Sequence, residues 1–376
     1  MEIRRWRQYN WPLLVCVIVL LVLGALAVYS ATLTAVTGTG VPLHIIYPDH
    51  LINMGLGLTL MVAFTFFDYQ LLSSLARPIY LIGVFLLILV LFIGRTSEGA
   101  RSWIEIGART FQPTELAKLA LIIVLAAYWQ RFEQINDRWL VQLGGLVIAG
   151  LLGLLVLVQP DLGGAIVIAS IWVMMAWGSG IRWQQILTLT VIMLPLVYIG
   201  WQSDSFLDDY QKRRLLTFYY LLNDPSLVDF NDSYNVVQAM NALTQGGLFG
   251  AGLTNGLFSQ GNYVPVQHTD FIFAVIGEEM GFFGGVVLIT FQAFLLWQAL
   301  SIANQARDTF GRLMALGIFG MLFCHLVINL GMNMSLLPVT GLPLPLVSHG
   351  GSFMIITLIS IGLLQSIALR SKRLVF

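Results

Sequence analysis

Apolar stretches of about 15 to 25 residues recur along the whole chain, separated by short polar breaks. That pattern excludes a water-soluble fold. A hydrocarbon core about 30 Å thick takes about 20 apolar residues per helical crossing. Inside lipid, every backbone N–H and C=O must be bonded within the protein, so such stretches are expected as helices. Composition agrees, since 57% of the 376 residues are hydrophobic and 10% are charged, against about 25% charged in a soluble domain. The sequence predicts an all-α integral membrane protein, a single polytopic domain over residues 1–376. Its bundle of about ten transmembrane helices is placed at about 11–31, 49–67, 78–94, 114–129, 140–158, 161–178, 185–201, 270–298, 312–335 and 351–369.

Charge sets the orientation. Ten crossings put both termini on one side, and Arg4, Arg5, Arg7, Arg370, Lys372 and Arg373 flank the ends. Positive residues favour the cytoplasm, so both termini are expected inside. The short loops that then face inward carry Arg77, Arg131, Arg138, Arg182, Arg307 and Arg312. The N-terminal apolar stretch has no small-residue cleavage site before Tyr29 and reads as a retained first span. Cys16 and Cys324 lie within apolar runs and read as small buried fillers. Zero formal net charge gives no electrostatic case for nucleic acid.

The remaining basic residues, Arg95, Arg101, Arg109, Lys118, Lys212, Arg213 and Arg214, fall outside or at the outer membrane edge. They work against the usual topology signal. Either they pair with outer acids or they meet an anionic ligand there, for which a guanidinium fork suits phosphate. Two outer segments are long. Residues 94–113 alternate polar and apolar, as at an interface. Residues 202–268 form a large extracytoplasmic loop between the seventh and eighth spans, rich in apolar and aromatic residues. Order is expected there, with helices near 209–222 and 233–244.

Several ionisable residues fall where lipid or its edge should be. The stretch "HTDFIFAVIGEEMGFFGG" places Asp270, Glu278 and Glu279 on the start of one span. A charge near mid-membrane costs roughly 2.5–3.5 kcal/mol on insertion scales, so such residues are functional candidates. Helix geometry puts Glu278 about 80° round from Asp270 and Glu279 nearly opposite, so the three do not form one cluster by that geometry alone. Asp270 also sits where a helix cap belongs. Glu115 and Lys118 share a face at i, i+3, as an ion pair or a cavity lining. Asp161 follows Pro160 and can cap the sixth span. His325, Asn329 and Asn333 make one polar stripe on the ninth span, of the kind that faces other helices.

No metal-ligand spacing, Walker loop, dinucleotide fingerprint or nucleophile elbow occurs. The residues alone reach an outward-facing polar site of mixed charge. An enzyme acting on an anionic lipid and a transporter both fit it.

Six segments go further: "GARSWIEIG", "FQPTELAKLA", "QPDLGGA", "GGLFGAGLTNG", "HTDFIFAVIGEEMGFFGG" and "LPVTGLPLPLVSHGGS". In content and order they resemble the SEDS family (shape, elongation, division and sporulation), which contains RodA and FtsW. The short N-terminus and "VTGLPLPLVS" look more like RodA. One departure is His349, where the family usually has Tyr.

The resemblance implies a peptidoglycan glycosyltransferase that polymerises lipid II on the outer face of the bacterial cytoplasmic membrane, forming β-1,4 bonds and releasing undecaprenyl pyrophosphate. It implies a class B penicillin-binding protein as partner and the cell-elongation role. The family's essential aspartate falls on Asp270, its Glu/Lys pair on Glu115 and Lys118, and its "QPDLG" aspartate on Asp161. With these, Arg101, Arg109, Arg213, Arg214, Glu279, Ser348 and Ser352 are expected to serve the substrate. A divalent cation, Mg²⁺ or Mn²⁺, on the pyrophosphate is compatible with this chemistry, though no sequence feature requires it. A lipid II flippase, a division- or sporulation-type SEDS polymerase and a scaffold that recruits the penicillin-binding protein remain the alternatives.

Overall fold

The computed structural model describes residues 9–34, 46–97, 100–107, 109–191, 209–223 and 230–371. The all-α membrane architecture is as predicted. Helices α1 (Trp11–Leu33), α2 (Ile46–Phe66), α3 (Leu71–Ile93), α4 (Pro113–Arg131), α5 (Trp139–Leu157) and α6 (Leu162–Gly178) coincide with the first six expected spans. Helix α7 starts at 183 and is described to 191. The rest of the seventh expected span, 192–201, lies outside the described residues. Helices α8 (Asp209–Asn223) and α9 (Phe230–Gln245) stand in the large loop where helices were expected, followed by the one-turn α10 (Leu257–Gln260). Helices α11 (Ile272–Gln305), α12 (Thr309–Asn333) and α13 (Gly351–Leu369) complete the chain. Among the described residues, seven helices are long and apolar enough to cross a membrane. Helix α4 carries Glu115, Lys118 and Arg131, which lowers its hydropathy, and α6 has 17 residues.

The alternating segment 94–113 folds as a small antiparallel sheet, an element the helical expectation did not contain. Its strands are β1 (Arg95–Ser97), β2 (Ala100–Ile106) and β3 (Arg109–Phe111) in the order β1-β2-β3. Period-two alternation matches the side-chain period of a strand. Arg95 pairs with Glu105 across it, both exposed.

Local chemistry fixes the helix starts. Asn10 caps α1 by accepting from Leu13 N at 3.1 Å, and Asp308 caps α12 through Gly311 N at 2.8 Å. Asp161 caps α6 through Gly164 N at 2.7 Å, as its place after Pro160 suggested. The start of α1 and the end of α13 meet. Asn10 and Gln365 exchange hydrogen bonds at 3.1 and 2.8 Å, and Asn10 Nδ2 donates to Gln298 Oε1 at 2.9 Å. The start of α1, the end of α13 and the far part of α11 therefore share one end of the bundle. The other end collects the sheet, α8–α10 and the start of α11.

At that second end α11 is broken. Gly281 has φ 67° and ψ −167°, a region essentially closed to other residues. The turn after α9 is spliced into the break: Ala251 N donates to Glu278 O at 2.9 Å, Gly252 N to Glu279 O at 3.0 Å and Phe282 N to Gly247 O at 2.9 Å. A Cβ on Gly281 would collide with Gly250 N and stand 2.6 Å from Leu248 O. We expect Gly281→Ala to lose stability on the order of 1–3 kcal/mol from the backbone alone, with the overlap adding to it. Thermal melting in detergent checks this, and an unchanged Tm would contradict the splice.

Candidate active site

Two polar centres lie in the second end of the bundle. The first is around Asp270, which is 8% exposed. Asn333 of α12 reaches the first turn of α11, taking Ala274 N on its Oδ1 at 3.1 Å. A methyl group built on Gly341 would stand 3.4 Å from Asp270 Oδ2 and 3.9 Å from Arg214 Nη1. The carboxylate and the guanidinium thus converge on one point. Gly341 has φ +77° and no side chain to fill that point. Arg214 projects from α8 and donates to Val339 O at 3.4 Å. Beside it a cavity of about 110 Å³ is lined by Arg213, Arg214, Thr217, Asn235, Ser335 and Val339, among others. Arg213 and Arg214, both expected to serve an outer anionic ligand, line this same cavity. Arg101 and Arg109 are backbone positions on β2 and β3.

The second centre is buried between α4, α6 and α12. Lys118 is fully buried, and its Nζ donates to Glu115 Oε1 at 2.7 Å and to His325 Nε2 at 3.1 Å. An ammonium only donates, so Nε2 accepts. His325 Nδ1 lies 3.1 Å from Pro343 O, which only accepts, so that nitrogen carries the proton. His325 is therefore the neutral Nδ1–H tautomer. Asp161 lies within electrostatic reach of Lys118 and Glu115. Formally, two carboxylates share one ammonium. Glu115 Oε2, Thr114 Oγ1 and Thr340 Oγ1 are buried without a protein partner. Unmatched buried oxygens are costly, so these three are available to a ligand's donors.

One segment, 339–349, joins the two centres. Val339 O meets Arg214, Gly341 faces Asp270, Asn329 Nδ2 donates to Leu342 O at 2.8 Å, and Pro343 O meets His325. Hydropathy does not single out this segment, and residue spacing does not pair His325 with Lys118. The signal was the i, i+4 stripe of His325, Asn329 and Asn333, whose three side chains all turn to this segment or to α11.

The other expected site residues have protein partners. Ser352 Oγ accepts from Gln112 N at 3.0 Å, just before α4. Ser348 is buried, donating to Thr269 O at 2.5 Å and accepting from Leu344 N at 2.8 Å. Glu278 accepts from Phe258 N at 2.6 Å and Ser259 N at 2.9 Å, capping α10. Glu279 Oε1 accepts from Ser30 Oγ at 2.6 Å and from Ser259 Oγ and Gln260 Nε2, each at 3.1 Å. Glu278 and Glu279 thus converge on Ser259 through its N and its Oγ, although an ideal helix would point them apart, and Asp270 stands with a different set of residues. His349, the departure from the family pattern, donates its backbone N to His268 O at 2.9 Å, a bond its side chain does not affect. Burial pushes the His268 imidazole down to about 4, and burial beside the imidazoles of His268 and His50 pushes His349 down to about 3. Among the described residues no three His, Cys, Asp or Glu side chains form a metal-holding group.

Comparison with known proteins decides the family. The model of the FtsW, RodA and SpoVE cell cycle proteins matches residues 11–373. The chain belongs to the SEDS (FtsW/RodA) family of peptidoglycan glycosyltransferases. It is 35% identical over 356 residues to the peptidoglycan glycosyltransferase MrdB of Escherichia coli K12, covering 94% of each chain. To the probable peptidoglycan glycosyltransferase FtsW of Bacillus subtilis it is 31% identical, covering 97% of this chain and 92% of that one. Among solved structures, a chain of a peptidoglycan synthase complex that coordinates polymerization and crosslinking matches with TM-score 0.78 and 31% identity, over 97% of this chain and 99% of that chain. RodA, the rod shape determining protein of Thermus thermophilus, matches with TM-score 0.68 and 29% identity, over 96% of each. Both polar centres thus belong to a SEDS glycosyltransferase.

Proposed function

We propose that this SEDS glycosyltransferase polymerises lipid II into β-1,4-linked glycan on the outer face of the bacterial cytoplasmic membrane, in the elongation role, with its termini in the cytoplasm. The observation that carries the reading is the convergence of the Asp270 carboxylate and the Arg214 guanidinium on Gly341. The acceptor hydroxyl attacks the anomeric carbon of the lipid-linked donor, and the bond from that carbon to the pyrophosphate oxygen breaks. Asp270 takes the hydroxyl proton as general base. Arg214 and Arg213 stabilise the charge that grows on the departing undecaprenyl pyrophosphate. An α-linked donor and a β-linked product require one inversion, so one direct displacement suffices and no covalent intermediate forms. Glu115, Lys118 and Asp161 give the inner wall of the site its charge, and Glu279, Ser348 and Ser352 brace it. Arg101 and Arg109, on β2 and β3, are proposed to add positive charge for the anionic substrate. A divalent cation on the pyrophosphate is compatible with this chemistry.

The place of the break in α11 favours this reading over a flippase. At 1.5 Å per residue, residues 282–305 cross a core of about 30 Å unaided. The break and Asp270 then stand at one membrane face, whereas alternating access relies on broken helices near the midplane.

Replacing Arg214 by Ala removes a charged donor worth about 1.5–3 kcal/mol. We expect kcat/KM for lipid II to fall roughly 10- to 100-fold, with the protein still folded. Parent kinetics would mean that Arg214 balances charge only. Activation is the second arm. A class B penicillin-binding protein is the proposed partner, and its addition should raise the rate of glycan synthesis. A rate unchanged by the cognate partner would count against that pairing.

A further inference from the structure

Residues 268–270 are held by their carbonyls, one after another. His268 O accepts from His349 N at 2.9 Å. Thr269 O accepts from Ser348 Oγ at 2.5 Å. Asp270 O accepts from Asn329 Nδ2 at 2.9 Å and Asn333 Nδ2 at 3.0 Å. The donors lie on α12 and in the loop before α13, far from Asp270 in sequence. Each is fully committed. Ser348 donates once and accepts once, from Leu344 N at 2.8 Å. Asn329 gives its second N–H to Leu342 O, and Asn333 gives its second to Asn329 O at 2.9 Å. All three side chains are fully buried. They have no donor left for a substrate.

The backbone they hold is strained. Val266, a β-branched residue, has φ +52°, and both Thr269 N and Asp270 N donate to its carbonyl at 3.2 Å. Leu346, in the facing turn, has φ +63°. Residues in this region persist only where their surroundings over-determine them, and they gather where geometry matters to function.

We propose that Ser348, Asn329 and Asn333 are positioning residues for Asp270. They fix the carbonyls of Thr269 and Asp270, beside the His268 carbonyl that His349 N holds, and so aim the Asp270 carboxylate at the point beside Gly341. The inference rests on the reading of Asp270 as general base. It also moves Ser348 from the substrate to the machinery behind the base. Because Asn329 bridges Asp270 O and Leu342 O, the same amide sets the spacing between the carboxylate and the segment that faces it.

The test uses full-length protein with labelled lipid II, and compares the parent with Ser348→Ala, Ser348→Cys and Asp270→Asn. Misplacement of a reacting group by about 1 Å is worth on the order of 100-fold in rate. Ser348→Ala should lower kcat about 10- to 100-fold, leave KM near the parent value and move the midpoint of the acid limb of the pH–rate profile. Ser348→Cys keeps the volume and a weak donor, folds where Ala does not, and should fall between. A parent-like kcat in both Ser348 variants overturns the proposal. So does a loss that scales kcat equally at every pH, since that reports a smaller folded fraction and no displaced base. Asp270→Asn separates the two claims. If it is inactive while the Ser348 variants match the parent, the base stands and its positioning by Ser348 falls. If Asp270→Asn itself polymerises at the parent rate, the base reading falls and this inference falls with it.

Discussion

Asp270→Asn is expected to abolish most polymerisation, a loss on the order of 10²–10⁴-fold, as for a general base. Asparagine keeps the shape and cannot accept the proton. It is also nearly as good a cap as aspartate, so a purely structural Asp270 would tolerate it. Lipid II binding and Tm should stay near the parent values. Measuring glycan yield, lipid binding and melting on the same preparation separates lost chemistry from lost fold.

Lys118 is the second position with a large expected effect. Its ammonium is fully buried against Glu115 and His325, with Asp161 in reach. Removing one partner of a buried pair leaves an uncompensated charge and destabilises by about 3–5 kcal/mol. Lys118→Met should therefore lower Tm strongly and abolish activity, while insertion in the membrane persists. The double variant Lys118→Met/Glu115→Gln removes the nearer of the two orphaned carboxylates, leaving Asp161, and should regain part of the Tm. If Lys118 only balances Glu115, activity returns as well. If it serves the lipid-linked substrate, stability returns and activity does not. We expect the second result, because Glu115 Oε2, Thr114 Oγ1 and Thr340 Oγ1 leave the cluster open to a ligand's donors.

The crossings were legible because hydropathy is local: a stretch such as Trp11–Leu33 announces itself. The helices at Asp209–Asn223 and Phe230–Gln245 were legible because their apolar and aromatic residues need a surface to lie on. The sheet was half legible, since the alternation of 94–113 was visible and its pairing was not. The break at Gly281 was hidden. One glycine among several in "GEEMGFFGG" carries no mark of its positive φ, which is set by the turn at Gly250 that docks there. The charged candidates were found one by one, through their presence in apolar surroundings. Their grouping was not, since Lys118 meets His325, and Asp270 and Arg214 converge on Gly341, from remote segments. The segment 339–349 was visible as a motif with Ser348 in it, but its part in joining the two centres was not: it acts through carbonyls and through a missing side chain at Gly341.

The most direct measurement is polymer itself. Purified protein, with and without a class B penicillin-binding protein, is incubated with labelled lipid II and the products are separated on a gel. The account predicts a ladder of glycan chains that strengthens with the partner and vanishes in Asp270→Asn. Lipid II recovered unpolymerised under every condition, while the same protein in vesicles carries it from one leaflet to the other, would contradict it.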